Sequence, residues 1–540
     1  MPDPSSIDVV VVGNGPSALI LSYILHGNIP FYDPQTPHPD PILHEKLVNA
    51  PDLLDLDIPA LTNHFEASRF SYSTQALPVN ALLDAIVRPN ADIDDTGQYS
   101  CIQWRRLPEK AVPHLVLGNA LEPGGQWTEC PKGTTWDIQS LSYAGMLSLP
   151  GYSFQTHHRK LYGSTPLAFT RPSRCEIAGY FAAYPPAVGI SEAIKSSETV
   201  ANISRTDEGF YIASHNLICK SLVLASGIFA EVKPARPLLQ PLLNKIIAPL
   251  EMKDDDRPLL IVGSGFSAAD IIISAPAHRR MIHIFKWAPD ERPSPLKSCH
   301  QQAYPEYAGI YRLMKRCASL PPGGSTDPKL PFRPSTLSPF LKSRDWGDVY
   351  EGLPNTLITD VVIDDHGALV TLKRDDGTIL RRHVSDLAYA VGRQGSLDYM
   401  DQPLRAEILP SNTNAADTGL ISASTLREAA LCDLELAPRV YIIGSLTGDS
   451  LIRFSYGGCV YVAGKIIRDT FNEKETVEYQ AGWHHRKRAV TTNGFQRECR
   501  ISEPGQNHNR AQEAKGNASQ SGFIWAKGRL LWDMLFWWSR

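Results

Sequence analysis

The chain has 540 residues, 43% apolar and 20% charged, with 53 Lys and Arg against 57 Asp and Glu for a net charge of −4. That length suits about three to four domain-sized units with sizeable cores, and the near-neutral balance excludes a strong generic attraction to nucleic acid or anionic membrane. The nine cysteines contain no C-x-x-C pair, which excludes a thiolate zinc site, a dithiol redox centre and a disulfide-built secreted domain.

The N-terminus shows no basic n-region followed by an apolar h-region, so no secretory signal is expected. No run reaches the length of a conventional transmembrane helix. Residues 7–12 are almost wholly apolar and β-branched, as in a buried parallel strand. Gly13-Asn14-Gly15-Pro16 interrupts them, residues 17–25 repeat small and apolar residues at helical spacing, and residues 28–33 look like a second strand ending at Asp33. The turn is Gly13-x-Gly15-x-x-Ala18, in the strand–helix context that makes a dinucleotide fingerprint credible. Gly13 permits the tight turn, Gly15 lets the backbone approach a pyrophosphate, and Ala18 allows close helix packing. Pro16 and Ser17 open the helix, whose free N–H groups favour phosphate. Asp33, about 20 residues after the first glycine, is placed to accept ribose hydroxyls.

The same arrangement recurs after a loop-rich stretch at 34–170 and strands near 211–225. Residues 259–262 form an apolar strand, Gly263-x-Gly265-x-x-Ala268 turns into a helix carrying Ser267, and Pro276 stops it. The next strand, 281–285, ends at Lys286 rather than at an acid, with Arg279 and Arg280 before it. A cation there suits a 2′-phosphate, so this site fits NADPH better than NADH. Lys286 could equally be a solvated strand-end charge.

Two different dinucleotide sites in one chain point to a flavin–nicotinamide oxidoreductase of α/β class with two Rossmann-like domains. Gly124, Gly125 and Trp127 lie in a Pro-Gly-Gly-Gln-Trp run that lets backbone pass a flat ring. The strands 222–227 and 387–392 end at Gly227 and Gly392. A strand at 440–444 leads to Gly448-Asp449 and then Gly457, which opens a helix. Asp449 suits the ribityl or pyrophosphate region, and the helix start suits charge on a reduced flavin. Arg453 has two open readings: an electrostatic stabiliser of that charge, and thus the one candidate catalytic side chain, or a structural arginine paired to a carboxylate. The adjacent pair His157-His158 reads as loop, without metal-ligand spacing.

Together these residues resemble the oxidative stress-induced growth inhibitor family, a branch of the flavin-containing monooxygenase-like proteins. The resemblance rests on Val-Val-Gly-Asn-Gly-Pro-Ser at 11–17, Leu-Ser-Tyr at 21–23, and Pro-His-Leu-Val-Leu-Gly at 113–118. It continues through Pro-Gly-Gly-x-Trp at 123–127, Ser-Ala-Ala-Asp at 267–270, Tyr-Pro-Glu-Tyr at 304–307 and Gly-Asp-x-x-x-Arg-Phe-x-x-Gly-Gly at 448–458. Arg171-Pro172-Ser173-Arg174-x-Glu176 is also similar to a segment of flavin N-hydroxylases. The resemblance covers roughly residues 7–470. It implies FAD and NADPH as cofactors, with a NADPH domain inserted in a split FAD domain: 1–252 and 386–475 for FAD, 253–385 for NADPH. One departure is plain. The F-x-G-x-x-x-H-x-x-x-Y/F motif of flavin-containing monooxygenases has no counterpart after Gly227.

The expected activity is NADPH-dependent monooxygenation, in which reduced flavin and O₂ give a hydroperoxyflavin that oxygenates a small organic substrate. The alternatives are a regulatory flavoprotein of stress or growth control with little turnover, and a NADPH oxidase or reductase that does not oxygenate. No nucleic-acid partner and no metal are expected, and a cytoplasmic location is. Residues 476–540 read as a disordered tail whose end crowds Trp525, Trp532, Trp537 and Trp538. That end is open to three readings: an interfacial amphipathic helix in peripheral contact with a membrane, a staple on the folded body, or an extension with no role.

Overall fold

The structure, a computed structural model, describes residues 3–65, 76–89, 99–244, 257–319, 339–409 and 415–490. Two compact units divide the chain, and the larger contains residues 1–467. Of the second, 468–532, the described residues are the remainder of a helix that ends at Val490.

In chain order the larger unit opens with β1 (Ser5–Val12), α1 (Pro16–Leu25) and β2 (Asn28–Tyr32). Then come α2 (Pro78–Val87), β3 (Ile102–Arg106), β4 (His114–Leu117), α3 (Arg174–Val188), β5 (Ile194–Lys195) and β6 (Leu217–Leu224). A second group follows: β7 (Leu259–Val262), α4 (Phe266–Ser274), β8 (Met281–Phe285), α5 (Pro305–Ala318), β9 (Tyr350–Pro354) and β10 (Asp386–Tyr389). The unit closes with β11 (Val440–Ile442) and the start of α6 (Ser455–Val490).

Two sheets with parallel centres organise these elements, the first also carrying antiparallel strands at 203–206, 209–212 and 435–437. The first runs β11-β6-β1-β4-β5, with β1 held between β6 and β4 along its whole apolar half. Val9, Val10, Val11 and Val12 are buried, as strands covered on both faces require. The second runs β9-β8-β7-β10, the sequential 3-2-1-4 order of a doubly wound sheet. Its side chains alternate between two cores. Leu259, Ile261, Met281 and Phe285 pack with Phe266 and Ile272 of α4 and with Ile310 and Met314 of α5. Leu260, Ile282 and Ile284 pack against Val370 and Leu372 of an antiparallel three-stranded sheet that lies between β9 and β10 in the chain. That alternation is the two-residue period of a strand.

The α/β expectation with two glycine-turn sheets is met, with differences in detail. Residues 28–32 do not join β1. They pair antiparallel with β3 in a separate two-stranded sheet, and β4 takes the place beside β1. Pro30 lies in the middle of β2 and has no N–H to give a central ladder, whereas His114–Leu117 offers an unbroken set. The expected boundary after residue 385 comes one strand early, because β10 pairs with β7 and so belongs to the second sheet. The stretch 34–170 holds more order than expected, including α2 and a helix at Phe154–Tyr162 that carries His157-His158. Helix α6 extends past the expected start of disorder at 476, and the Trp-rich end lies outside the described residues. Among the described residues no helix is long and apolar enough to cross a membrane.

Candidate functional site

The two glycine turns are built alike. Gly13 donates its N–H to the Leu117 carbonyl on one side (2.7 Å), and Ala225 donates to Val12 on the other (2.8 Å). Gly263 likewise donates to Ile284 (3.0 Å), and Ala390 to Val262 (2.7 Å). Each first glycine is therefore clamped where three strand ends meet. A Cβ on Gly13, at φ +112°, would stand 2.5 Å from the Ala225 carbonyl oxygen, and one on Gly263 would collide with the Ala390 carbonyl. The second glycines are the reverse. Around Gly15 nothing lies within 4 Å of a Cβ, and at Gly265 the nearest atom is Pro295 at 3.9 Å. Backbone that is open on that side, at the start of a helix, is accessible to a pyrophosphate.

Both openings face one cavity of about 2100 Å³. Its wall contains Gly13, Gly15, Pro16, Ser17, Gly124, Gly125, Trp127 and Gly227 from the first turn and its neighbours. From the second it contains Gly263, Gly265, Ser267, Lys286 and Gly392. Gly124 donates its N–H to the Asn14 carbonyl (2.8 Å), which brings the Gly-Gly run across the first turn, with a Cβ on Gly125 only 3.1 Å from Gly15 Cα. Ala18 and Ala268 are buried beneath their turns, where they pack the helices rather than line the cavity. Lys286 directly follows β8, exposed at the wall, and its N–H donates to Ser264 Oγ (3.0 Å).

Five expected residues are engaged in other contacts. Asp33 is not in the cavity wall. Its carboxylate accepts from the Gln35 N–H (3.0 Å) and the Thr36 hydroxyl (3.1 Å), a local turn at the end of a strand that does not belong to the parallel sheet. Arg453 is likewise absent from the wall. Its Nε donates to Asp84 Oδ2 (2.9 Å), a second nitrogen bonds the same oxygen, and Arg88 meets the other oxygen (3.2 Å). Of its two readings, the carboxylate-paired structural arginine is the one its surroundings match. Asp449 does reach the wall, yet it is nearly saturated: Leu77 N–H (2.8 Å), Asn80 Nδ2 (2.7 Å) and Arg427 (2.6 Å) all donate to it. It fixes the start of α2. Gly448 and Gly457 are packing positions, and a Cβ on Gly457 would collide with the Val79 carbonyl.

Several wall residues carry no motif of their own. Asp270 of α4 accepts a hydrogen bond from the Tyr307 hydroxyl of α5 (2.7 Å), and burial pushes its carboxyl up to about 6. Arg174 opens α3, whose first turn is a capping box: Glu176 N–H donates to Ser173 Oγ (3.3 Å) and Ser173 N–H to Glu176 Oε2 (2.8 Å). Its guanidinium lies 5.6 Å from the Trp127 ring and donates to the carbonyls of Glu129 (2.6 Å) and Gln126. Asp270 and Arg174 both fall in segments singled out only by resemblance. Nothing in their own spacing announces them.

The turns fit dinucleotides: each has a clamped glycine, an open glycine and a helix start on the same cavity. Among the described residues no cluster of His, Cys, Asp and Glu could hold a metal. No family model matches the chain. Among curated proteins it is similar to oxidative stress-induced growth inhibitor 1 of Mus musculus, at 27% identity over 510 residues, covering 86% of this chain and 95% of that protein. Among solved structures it is similar to a flavin-containing monooxygenase from Stenotrophomonas maltophilia (13% identity, TM-score 0.44, 87% of this chain and 99% of that one). A bacillithiol disulfide reductase from Staphylococcus aureus is similar to the same degree (11% identity, TM-score 0.45, 86% and 99%).

Proposed function

We propose that this chain, a relative of the oxidative stress-induced growth inhibitors, is an FAD- and NADPH-dependent oxidoreductase, and specifically a monooxygenase acting on a small organic substrate. The observation that carries this reading is the single cavity onto which both open glycines, Gly15 and Gly265, face. Two dinucleotides seated on those turns would have their redox rings in a common space. FAD would occupy the first turn, with Gly13, Gly15, Ser17 and Gly125 around it, and NADPH the second, with Lys286 reaching the 2′-phosphate. When bound, the pair supplies hydride transfer and the reduction of O₂.

The chain's own part is to bind, orient and shield. Main-chain N–H groups at the starts of α1 and α4 bind the phosphates. Trp127, braced by Arg174, gives the wall a flat apolar face. Asp270 supplies a carboxyl that burial pushes up to about 6. Among the described residues Cys130 is the one thiol in the cavity wall, so no dithiol pair stands there to relay electrons.

The test is direct. The purified protein is examined for a flavin spectrum and mixed with NADPH under ¹⁸O₂ and a panel of amines, sulfides and ketones. A product carrying one ¹⁸O atom supports monooxygenation. NADPH loss matched by H₂O₂, with no labelled product, supports the oxidase alternative. A yellow protein that NADPH does not bleach overturns both.

A further inference from the structure

We propose that the ribose of the first dinucleotide is read at the ends of β4 and β5, by Asn119 and Glu198, and not by Asp33; this rests on the reading of the first turn as a dinucleotide site. The two turns calibrate each other. In the second, Gly263 bonds the Ile284 carbonyl, and Lys286 follows two residues later at the cavity wall. In the first, Gly13 bonds the Leu117 carbonyl, and Asn119 follows two residues later, also at the wall. Counted from equivalent bonds, Asn119 holds the place of Lys286. That is the end of the strand beside the first strand of the fold, from which the ribose is contacted.

The surroundings explain why a carboxylate comes from elsewhere. A side chain at Gly118 would run into Asn14. Asn14 Nδ2 in turn donates to the Ala120 and Glu122 carbonyls (both 3.3 Å) and to Ser196 Oγ (3.2 Å), tying down the loop after β4. The neighbouring strand end is close by: Glu198 donates its N–H to the Gly118 carbonyl (2.9 Å) and lines the cavity. Glu198 Oε2 is 3.3 Å from His215 Nε2, which restrains a side chain that is 48% exposed. A vicinal diol offers two O–H donors, and a carboxylate beside an amide supplies acceptors for both plus a returning donor. Asp33 offers none of this, being outside the wall and engaged with Gln35 and Thr36.

The experiment measures binding, not turnover. Flavin-free protein is titrated with FAD and with FMN, which lacks the adenosine ribose, following flavin fluorescence. Asn119→Ala and Glu198→Gln should each weaken FAD about tenfold, with a larger loss together and FMN unchanged. Asp33→Asn should leave both ligands unchanged. Far-UV circular dichroism and the melting temperature check that each variant is folded. A double variant that binds FAD like the parent overturns the assignment, as does equal weakening of FAD and FMN, or a loss confined to folded Asp33→Asn. A parent chain that binds neither flavin overturns the functional reading itself, and the assignment with it.

Discussion

His283 braces Gly263: the ring Nε2 lies 2.7 Å from the glycine carbonyl oxygen, at the heart of the second turn. A carbonyl only accepts, so Nε2 carries the hydrogen and Nδ1 accepts from the Tyr350 hydroxyl, 2.7 Å away. The ring is buried and neutral, and burial pushes its pKa down to about 4. His114, bonded to Ser22 (2.8 Å) and to the Val112 carbonyl (2.7 Å), is likewise held at about 4.

The sign of the pH effect follows. An unfolded histidine takes a proton near pH 6.5 and these folded ones only near 4. Their contribution is fully present above pH 6.5 and is lost as pH falls toward 4, on the order of 3 kcal/mol for each full shift. Asp270, pushed up from 3.8 to about 6, acts the other way: its cost accumulates as pH rises from about 3.8 to about 6 and is fully present above that. His283→Gln should therefore lower stability at pH 8 and flatten its decline between pH 6.5 and 4.5 relative to the parent. Thermal unfolding across that range is the measurement, and parallel curves would remove His283 from the titration.

The glycines of each turn should separate stability from binding. Alanine at Gly13 or Gly263 meets main-chain carbonyls at positive φ, so about 2 kcal/mol or more of stability should be lost. Alanine at Gly15 or Gly265 meets nothing within 3.9 Å and should leave the melting temperature within a few degrees. It should instead weaken FAD at the first site or NADPH at the second by about tenfold or more. Calorimetric titration beside thermal unfolding distinguishes the two classes.

Lys286→Ala should cost roughly tenfold in NADPH affinity and little in NADH affinity, because the exposed ammonium has only the 2′-phosphate to distinguish them. An unchanged ratio of the two dissociation constants would remove Lys286 from the site.

Arg453→Ala should act on folding. It strips a buried carboxylate, Asp84, of its nearer cation and leaves only Arg88, so a loss of about 3 kcal/mol in denaturant unfolding is expected. The flavin spectrum of the folded fraction should not change. Intact stability with slowed flavin reduction would restore Arg453 as an electrostatic stabiliser.

What is legible in the sequence is what short-range chemistry decides. Gly13, Gly15, Gly263 and Gly265 announce themselves because a turn and a helix start need them within a few residues, and Lys286 follows because β8 is both the next strand and the neighbouring one. Asp33 misleads because adjacency along the chain is not adjacency in the sheet. β2 comes next after α1, yet β4 is the neighbour of β1. The signal was present: Leu115-Val116-Leu117-Gly118 shows the same apolar run into glycine as residues 222–227, and it leads directly to Gly124-Gly125. Asp84, which decides the environment of Arg453, lies in a helix far away in sequence, and no local pattern links the two. Asp270 and Tyr307 meet only because α4 and α5 share one face of the second sheet.

The interleaving of the sheets has a consequence for synthesis on the ribosome. The second sheet is complete once Tyr389 has emerged, while the first still lacks β11, whose Val440 pairs with Leu222. Until then the C-terminal end of β6, Leu222–Leu224, presents an open edge, while residues 217–219 are already paired with the strand at 209–212; an open edge is the kind of template that invites wrong pairing. The nascent chain thus passes through an interval in which one glycine turn is framed by its strands and the other is unfinished. A pause or truncation between Tyr389 and Val440 would leave that edge open.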